Sequence, residues 1–222
     1  MEIYILRHGT TEWNNKHKIQ GTEDIALDSL GVLMAEETGR SLKEKSITFD
    51  KVFSSPLSRA FNTSRLVSGL PENEIICDDR LKELNFGFQE GCIVEEMIQQ
   101  GVLFKYFKDN PARYNELAKK EETTESLEEL MARTQDFMIN VVEKLPHDTK
   151  RILISAHGAA NKALLMYIRG ESDLAKFWGY GLQPNCGYDI VSYDAEKHEY
   201  SITESNVTCY SPEVLKKAPK LL

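Results

Sequence analysis

Three short apolar runs constrain this chain more than any other feature. Glu2-Ile3-Tyr4-Ile5-Leu6-Arg7, Asp50-Lys51-Val52-Phe53-Ser54 and Arg151-Ile152-Leu153-Ile154-Ser155-Ala156 are each followed by a helical pattern. Runs of this length without alternation fit strands buried on both faces, as in a parallel sheet covered by helices. After the second run, Ser55 suits an N-cap and Pro56 a first helical position, with Leu57, Ala60, Phe61 and Ser64 on one stripe. After the third, Ala160, Leu164, Leu165 and Ile168 recur at helical spacing and Gly170 closes the segment. Ser29 suits the cap of a helix from Leu30 to about Lys43. Ser126 and Glu129 form a capping box ahead of Leu127, Leu130, Met131, Phe137, Val141 and Leu145. Two late strands, Ile190 to Tyr193 and Tyr200 to Thr203, flank a polar turn. Strands alternating with helices predict an α/β fold, a three-layer α/β/α sandwich with a mainly parallel central sheet.

The stretch from about 92 to 125 differs in texture. It mixes aromatic and charged residues and ends in the polar Lys119-Lys120-Glu121-Glu122. It reads as a helical insertion with a solvated tip, placed over the active site as a lid. A chain of 222 residues suits a single domain, 1–222, carrying that insertion. Phe104, Tyr106, Phe107 and Tyr114 are expected to pack the insertion, and Lys216, Lys217 and Lys220 to form a solvated tail.

Charge narrows the partners. With 35 acidic and 27 basic side chains the net charge is −8, so the overall field attracts neither nucleic acid nor an anionic membrane. No apolar run approaches the roughly 20 residues that span a bilayer, and the N-terminus has no signal-peptide pattern. Cys77, Cys92, Cys186 and Cys209 form no C-x-x-C pair and read as free thiols of a cytoplasmic protein. An anionic substrate must then be held by a local cluster of positive charge.

Such a cluster is available where the strands end. In open α/β sheets ligands bind beyond the carboxyl ends of the strands. Arg7-His8-Gly9, Ser54-Ser55-Pro56 leading to Arg59, and His157-Gly158 all fall there. Two histidines and two arginines would converge on one edge, with Arg59 in the first turn of its helix. A neutral imidazole nitrogen can attack phosphorus, and arginine forks can neutralise the phosphoryl oxygens. The leaving alkoxide needs an acid. Glu83, in Arg80-Leu81-Lys82-Glu83-Leu84-Asn85-Phe86-Gly87, has apolar neighbours that could raise a carboxyl pKa. Taken singly, each histidine could be structural, Arg59 a surface ion pair and Glu83 a solvated carboxylate. A His-His-Glu metal site is disfavoured because two arginines would repel a dication. His17, His147 and His198 lie in polar stretches and read as surface residues.

Five ordered blocks resemble the histidine phosphatase superfamily, the phosphoglycerate-mutase-like proteins. They are Arg7-His8-Gly9 with Thr11, Trp13 and Asn14, continuing through Gln20-Gly21, Asp24, Leu27 and Gly31; Ser54-Ser55-Pro56-Leu57-Ser58-Arg59-Ala60 with Thr63; Leu81-Lys82-Glu83 with Phe86-Gly87 and Gly91; Glu125-Ser126 with Arg133; and Ala156-His157-Gly158. The resemblance implies that His8 is the phosphorylated nucleophile and Glu83 the proton donor. It further implies that Arg7, Arg59 and His157 bind the phosphoryl group, and that Asn14, Gln20, Gly21 and Gly158 line the pocket. It implies no metal and no cofactor.

Within the family, mutases usually follow the acidic residue with Arg, His and Tyr. Here Leu84, Asn85 and Phe86 stand in those places, and Lys105, Lys108 and Arg113 are loose substitutes for the mutases' arginine pair. The stretch Phe86-Gly87-Phe88-Gln89-Glu90-Gly91 is more like the phosphatase branch, which includes alpha-ribazole phosphatase-like enzymes. Thr10 departs from the glutamate common after Arg-His-Gly, removing a carboxylate near the pocket. The expected activity is metal-independent hydrolysis of a small phosphorylated metabolite through a phosphohistidine. A cofactor-dependent phosphoglycerate mutase and a non-catalytic phosphate-ligand-binding module are the alternatives.

Overall fold

The computed structural model describes residues 1–101 and 103–218; Lys220 lies outside them. The three apolar runs are strands, at Glu2–Arg7 (β1), Lys51–Ser54 (β2) and Arg151–Ala156 (β4). A short strand at Ile75–Cys77 (β3) and the late strands Tyr188–Asp194 (β5) and Glu199–Val207 (β6) complete one sheet in the order β3-β2-β4-β1-β5-β6. The first four are mutually parallel, and β5 and β6 are antiparallel additions.

Helices cover both faces. The described helices run in chain order Glu12–Asn15 (α1), Ser29–Glu44 (α2), Ser58–Ser68 (α3), Val94–Gln99 (α4), Phe104–Asp109 (α5), Pro111–Ala118 (α6), Leu127–Asn140 (α7), Gly158–Ile168 (α8) and Pro212–Leu215 (α9). Because side chains alternate across a strand, Ile3, Ile5, Phe53, Ile152 and Ile154 face α7 and α8. Tyr4, Leu6, Val52 and Leu153 face α2 and α3 on the other side. The result is the expected sandwich.

Three boundaries differ from the sequence reading. Asp28, not Ser29, caps α2, its carboxylate accepting from Gly31 N. The α3 helix starts at Ser58 with Leu57 as its N-cap, so Ser55 and Pro56 lie in the preceding loop. The α7 helix stops at Asn140, and Val141 and Leu145 flank a following 3₁₀ turn. The capping box of Ser126 and Glu129 is present, and Gly170 adopts φ +66° just past α8.

The insertion is helical, formed by α4 to α6. Phe107 and Tyr114 are buried, and Phe104 and Tyr106 pack partly buried against the same core. Residues 119–122 are exposed. Trp178 Nε1 donates to the Phe107 carbonyl at 2.7 Å, fastening the insertion to the loop before β5.

Candidate active site

The register of the parallel strands sets the geometry. Arg7 pairs with Ala156 across β1 and β4, and Ser54 pairs with Ser155 across β2 and β4. The next residue on each strand, His8, His157 and Ser55, therefore emerges on one edge of the sheet. The His8 and His157 ring centroids are 5.1 Å apart. Close backbone packing lets the chain turn after His8: a Cβ on Gly9 would lie 2.6 Å from the Gly31 carbonyl oxygen.

Local hydrogen bonds fix the state of each ring. His8 Nδ1 lies 2.6 Å from the Gly9 carbonyl. A carbonyl only accepts, so Nδ1 carries the proton and Nε2 presents a lone pair. Burial, then the charges of Arg59 and Arg7, hold the His8 pKa well below the ordinary imidazole value, against the Gly9 hydrogen bond. The ring is therefore neutral at physiological pH, as a nucleophile requires. His157 Nε2 lies 2.8 Å from Ser55 Oγ. Burial, Arg59 and His8 depress its pKa in the same way.

Both guanidinium groups are buried and partly anchored. Arg7 Nη1 donates to the Gln183 carbonyl at 2.6 Å. Arg59 Nη1 and Nη2 donate to the carbonyls of Glu23 and Gly21, each at 2.7 Å. Burial lowers both pKa values to about 10, opposed first by the nearby Glu83 carboxylate, so both remain cations at neutral pH. Three buried nitrogens are left over: Arg7 Nε, Arg59 Nε and His157 Nδ1 have no hydrogen-bond partner among the described residues. Each such nitrogen costs about 1–3 kcal/mol, and three of them around one imidazole describe a socket for an anion with several oxygens.

Glu83 meets this cluster at the start of α8. Its Oε1 accepts from Leu84 N at 2.9 Å and Ala160 N at 3.1 Å, and Oε2 accepts from Ala159 N at 3.2 Å. Its apolar neighbours Leu81, Leu84 and Phe86 are buried in the core, so the carboxylate is surrounded by backbone N–H groups and not by the apolar side chains the sequence suggested. A Cβ on Gly158 would lie 3.5 Å from Glu83 Oε2 and 3.9 Å from Arg7 Nε. Those are ordinary contact distances, and the tight neighbour at that point is Leu182 Cδ1, at 3.0 Å.

The remaining expected residues are engaged within the fold, Gly21 through its backbone and Asn14 and Gln20 through side-chain bonds to Thr11. Gly21 presents its carbonyl to Arg59. Asn14 Oδ1 accepts from Thr11 N at 3.1 Å in the capping box of α1, and Gln20 Oε1 accepts from Thr11 Oγ1 at 3.0 Å. Thr10 Oγ1 donates to Asp28, the cap of α2, so its hydroxyl serves the fold. Among the described residues no group of three or more His, Cys, Asp or Glu side chains is arranged to hold a metal ion.

Four residues escaped the sequence reading as site components. Ser55 pairs with His157; Asn185 Nδ2 donates to the His8 carbonyl at 3.1 Å. Gln183 holds Arg7. Arg133 donates to the carbonyls of Arg80, Lys82 and Glu83 and to the Glu125 carboxylate, fixing the loop that carries Glu83. Ser55 and Arg133 lie in recognisable blocks, but nothing local marks Gln183 or Asn185.

Comparisons with known proteins agree with this construction. The chain is 36% identical over 168 residues to the uncharacterized phosphatase PhoE of Bacillus subtilis, covering 76% of this chain and 77% of that one. It is 27% identical to phosphoserine phosphatase 1 of Hydrogenobacter thermophilus, with both chains fully covered. A 2,3-bisphosphoglycerate-dependent phosphoglycerate mutase of Methylobacterium is 30% identical, with 76% and 80% covered. The fold is shared with the alpha-ribazole phosphatase of Shigella flexneri, at a TM-score of 0.77 and 20% identity, covering 93% of this chain and 96% of that one. Residues 3–206 match the family model of the histidine phosphatase superfamily (branch 1), and the chain belongs to that family.

Proposed function

We propose that this protein is a phosphomonoester hydrolase working through a phosphohistidine, without a metal, on a small phosphorylated metabolite. The observation that carries the reading is the set of unpaired nitrogens on Arg7, Arg59 and His157 around a neutral His8. In the first step His8 Nε2 attacks phosphorus, the P–O bond to the alcohol breaks, and Glu83 gives a proton to the departing oxygen. Arg7, Arg59 and His157 hold the three non-bridging oxygens as charge shifts onto them. In the second step Glu83 takes a proton from water, the resulting hydroxide attacks phosphorus, the P–N bond breaks and phosphate leaves. The Ser55 hydroxyl, by donating to His157 Nε2, would leave Nδ1 protonated and able to donate to the phosphoryl group.

A hydrolase is favoured over a mutase at Phe86. Its ring packs against Phe104, Phe107 and Tyr114, with centroids 5.4, 5.0 and 6.4 Å away, and offers no hydroxyl or cation to a second phosphate. We read residues 1–222 as one domain and place it in the cytoplasm, supported by four free thiols. Among the described residues no helix is long and apolar enough to cross a membrane.

The test is phosphate release from an aryl phosphate, with acid-labile phosphate trapped on the protein by quenching during turnover. Wild type is expected to turn over and to carry label on His8; His8→Ala is expected to do neither. Release undiminished in His8→Ala overturns the proposal. So does fast interconversion of 3- and 2-phosphoglycerate stimulated by bisphosphoglycerate.

A further inference from the structure

Among the described residues one hollow opens beside Glu83 and another lies beneath the insertion, and their walls differ in kind. The first is an open cleft of about 440 Å³ beside Glu83. Its carboxylates Asp79, Glu122, Glu125 and Glu129 outnumber the cations Lys82 and Arg133. Arg133 is already bound by Glu125 and three carbonyls, so this cleft has little to offer an anionic ester.

The second is a cavity of about 360 Å³ between the insertion and the loop before β5. Val94, Ile98, Phe104, Phe107, Trp178 and Leu182 make it apolar. Lys105, Lys108 and Asp109 also line it while remaining exposed, so the lysine stems extend the apolar wall and the charged rim, two ammonium groups against one carboxylate, is net cationic by one charge. Its size is within the range of small-molecule pockets.

Leu182 joins this cavity to the chemistry. It precedes Gln183, which holds Arg7, and its Cδ1 lies 3.0 Å from the point where a side chain on Gly158 would begin. Glu83 Oε2 and Arg7 Nε converge on that same point. The leaving oxygen of a phosphomonoester must lie between a phosphoryl group held by Arg7 and the proton of Glu83. Its carbon chain therefore starts against Leu182, and beyond Leu182 the walls are apolar.

Resting on the hydrolase reading above, we infer that this cavity is the alcohol subsite, and that the enzyme takes phosphate monoesters of apolar alkyl or aryl alcohols in preference to small polar ones. Phe104 and Phe107 then serve twice, as packing for the insertion and as walls for the substrate.

Straight-chain alkyl phosphates test this with the leaving-group chemistry held constant. From ethyl to hexyl phosphate kcat/KM is expected to rise about two- to fourfold per methylene. Ile98 is 44% exposed, so substituting it does not threaten the fold. Ile98→Asp is expected to cut the hexyl-to-ethyl ratio about fivefold or more, and Ile98→Leu to preserve it. A flat series, with ethyl phosphate hydrolysed by wild type and not by His8→Ala, overturns the subsite and leaves the hydrolase standing. Faster turnover of O-phosphoserine than of hexyl phosphate assigns the alcohol to the polar cleft and overturns it as well. No hydrolysis of any ester overturns both.

Discussion

Arg7 is held by Gln183 across 176 positions of sequence: its Nη1 donates to the Gln183 carbonyl at 2.6 Å. The Gln183 side chain is itself fully engaged. Nε2 donates to Asp189 Oδ2 at 2.7 Å and to the Ile5 carbonyl at 3.0 Å, and Oε1 accepts from Asn161 Nδ2 at 2.8 Å. Gln183→Leu would leave Asp189 and Asn161 short of partners in a buried site and free the loop that fixes Arg7. We expect a stability loss of about 2–3 kcal/mol. Below the unfolding transition, KM for an aryl phosphate should rise about tenfold with kcat little changed. Denaturant melts and steady-state kinetics check both.

Removing the Ser55 hydroxyl tests the tautomer of His157. In Ser55→Ala, Nε2 loses its only partner among the described residues, and the ring is no longer restricted to carrying its proton on Nδ1. The expected result is a loss of about tenfold in kcat, because one donor to the phosphoryl oxygens is no longer guaranteed. Ser55→Thr keeps the hydroxyl and should recover most of the rate. Equal losses in both variants would assign Ser55 a packing role only.

Much of this site was legible in sequence for one physical reason. Strands buried on both faces make short unbroken apolar runs, and the residues that end them, His8 and His157, must emerge together once the strands are parallel. The short strand β3 was not legible: Ile76 and Cys77 are exposed at the sheet edge, so Ile75-Ile76-Cys77 makes no long buried run. The caps were misplaced by one and two residues through competition between similar groups. Asp28 displaces Ser29 because its carboxylate also accepts from Thr10, and Ser55 leaves the helix end to meet His157. Gln183 and Asn185 stay hidden because their partners, Arg7, His8 and Gly9, are more than 170 residues away. Ordinary amide side chains carry no local signature for such meetings.

Two buried neutral histidines make stability depend on pH. Their folded pKa values lie well below the ordinary imidazole value near 6.5, whereas the unfolded chain binds protons at about 6.5. Below about pH 6.5 the unfolded state therefore takes up more protons, and stability falls as pH falls, by up to about 1.4 kcal/mol per pH unit for each histidine. Above that pH both states are neutral at these rings and the effect vanishes. Urea unfolding at pH 7 and pH 5 measures the loss. His8→Gln with His157→Gln should flatten this part of the slope, and an unchanged slope would show that neither ring is held neutral.

Arg133 holds the loop of Glu83, the proposed acid, without bonding to His8, the proposed nucleophile. It donates to the carbonyls of Arg80 and Lys82 at 2.7 and 2.8 Å and of Glu83 at 3.0 Å, and pairs with Glu125. Arg133→Met removes this donor from the three carbonyls and leaves the Glu125 carboxylate with Asn85 N at 3.1 Å. About 2–3 kcal/mol of stability should be lost. The folded variant should lose about tenfold in kcat, with KM nearly constant, because the proposed phosphate ligands are untouched while Glu83 is no longer fixed. A change confined to KM would contradict the positioning role.

Gly21 is a position where one methyl group should reach the chemistry through backbone alone. Its φ of +54° is unfavourable for an L side chain by about 1–2 kcal/mol. A Cβ there would also collide with the Glu90 carboxylate. Glu90 cannot retreat cheaply, because its Oε1 accepts from Thr22 N and Phe86 N, each at 2.9 Å, and its Oε2 from Glu23 N at 3.0 Å. The carbonyls of Gly21 and Glu23 are the anchors of Arg59, so displacing the loop displaces a proposed phosphate ligand. Gly21→Ala should therefore raise KM for an aryl phosphate about tenfold or more, and weaken competitive inhibition by inorganic phosphate to a similar degree. The paired variant Gly21→Ala with Glu90→Gly removes the collision but not the backbone strain, and partial recovery would separate the two causes. Wild-type kinetics in Gly21→Ala would mean that Arg59 does not depend on this loop for its position.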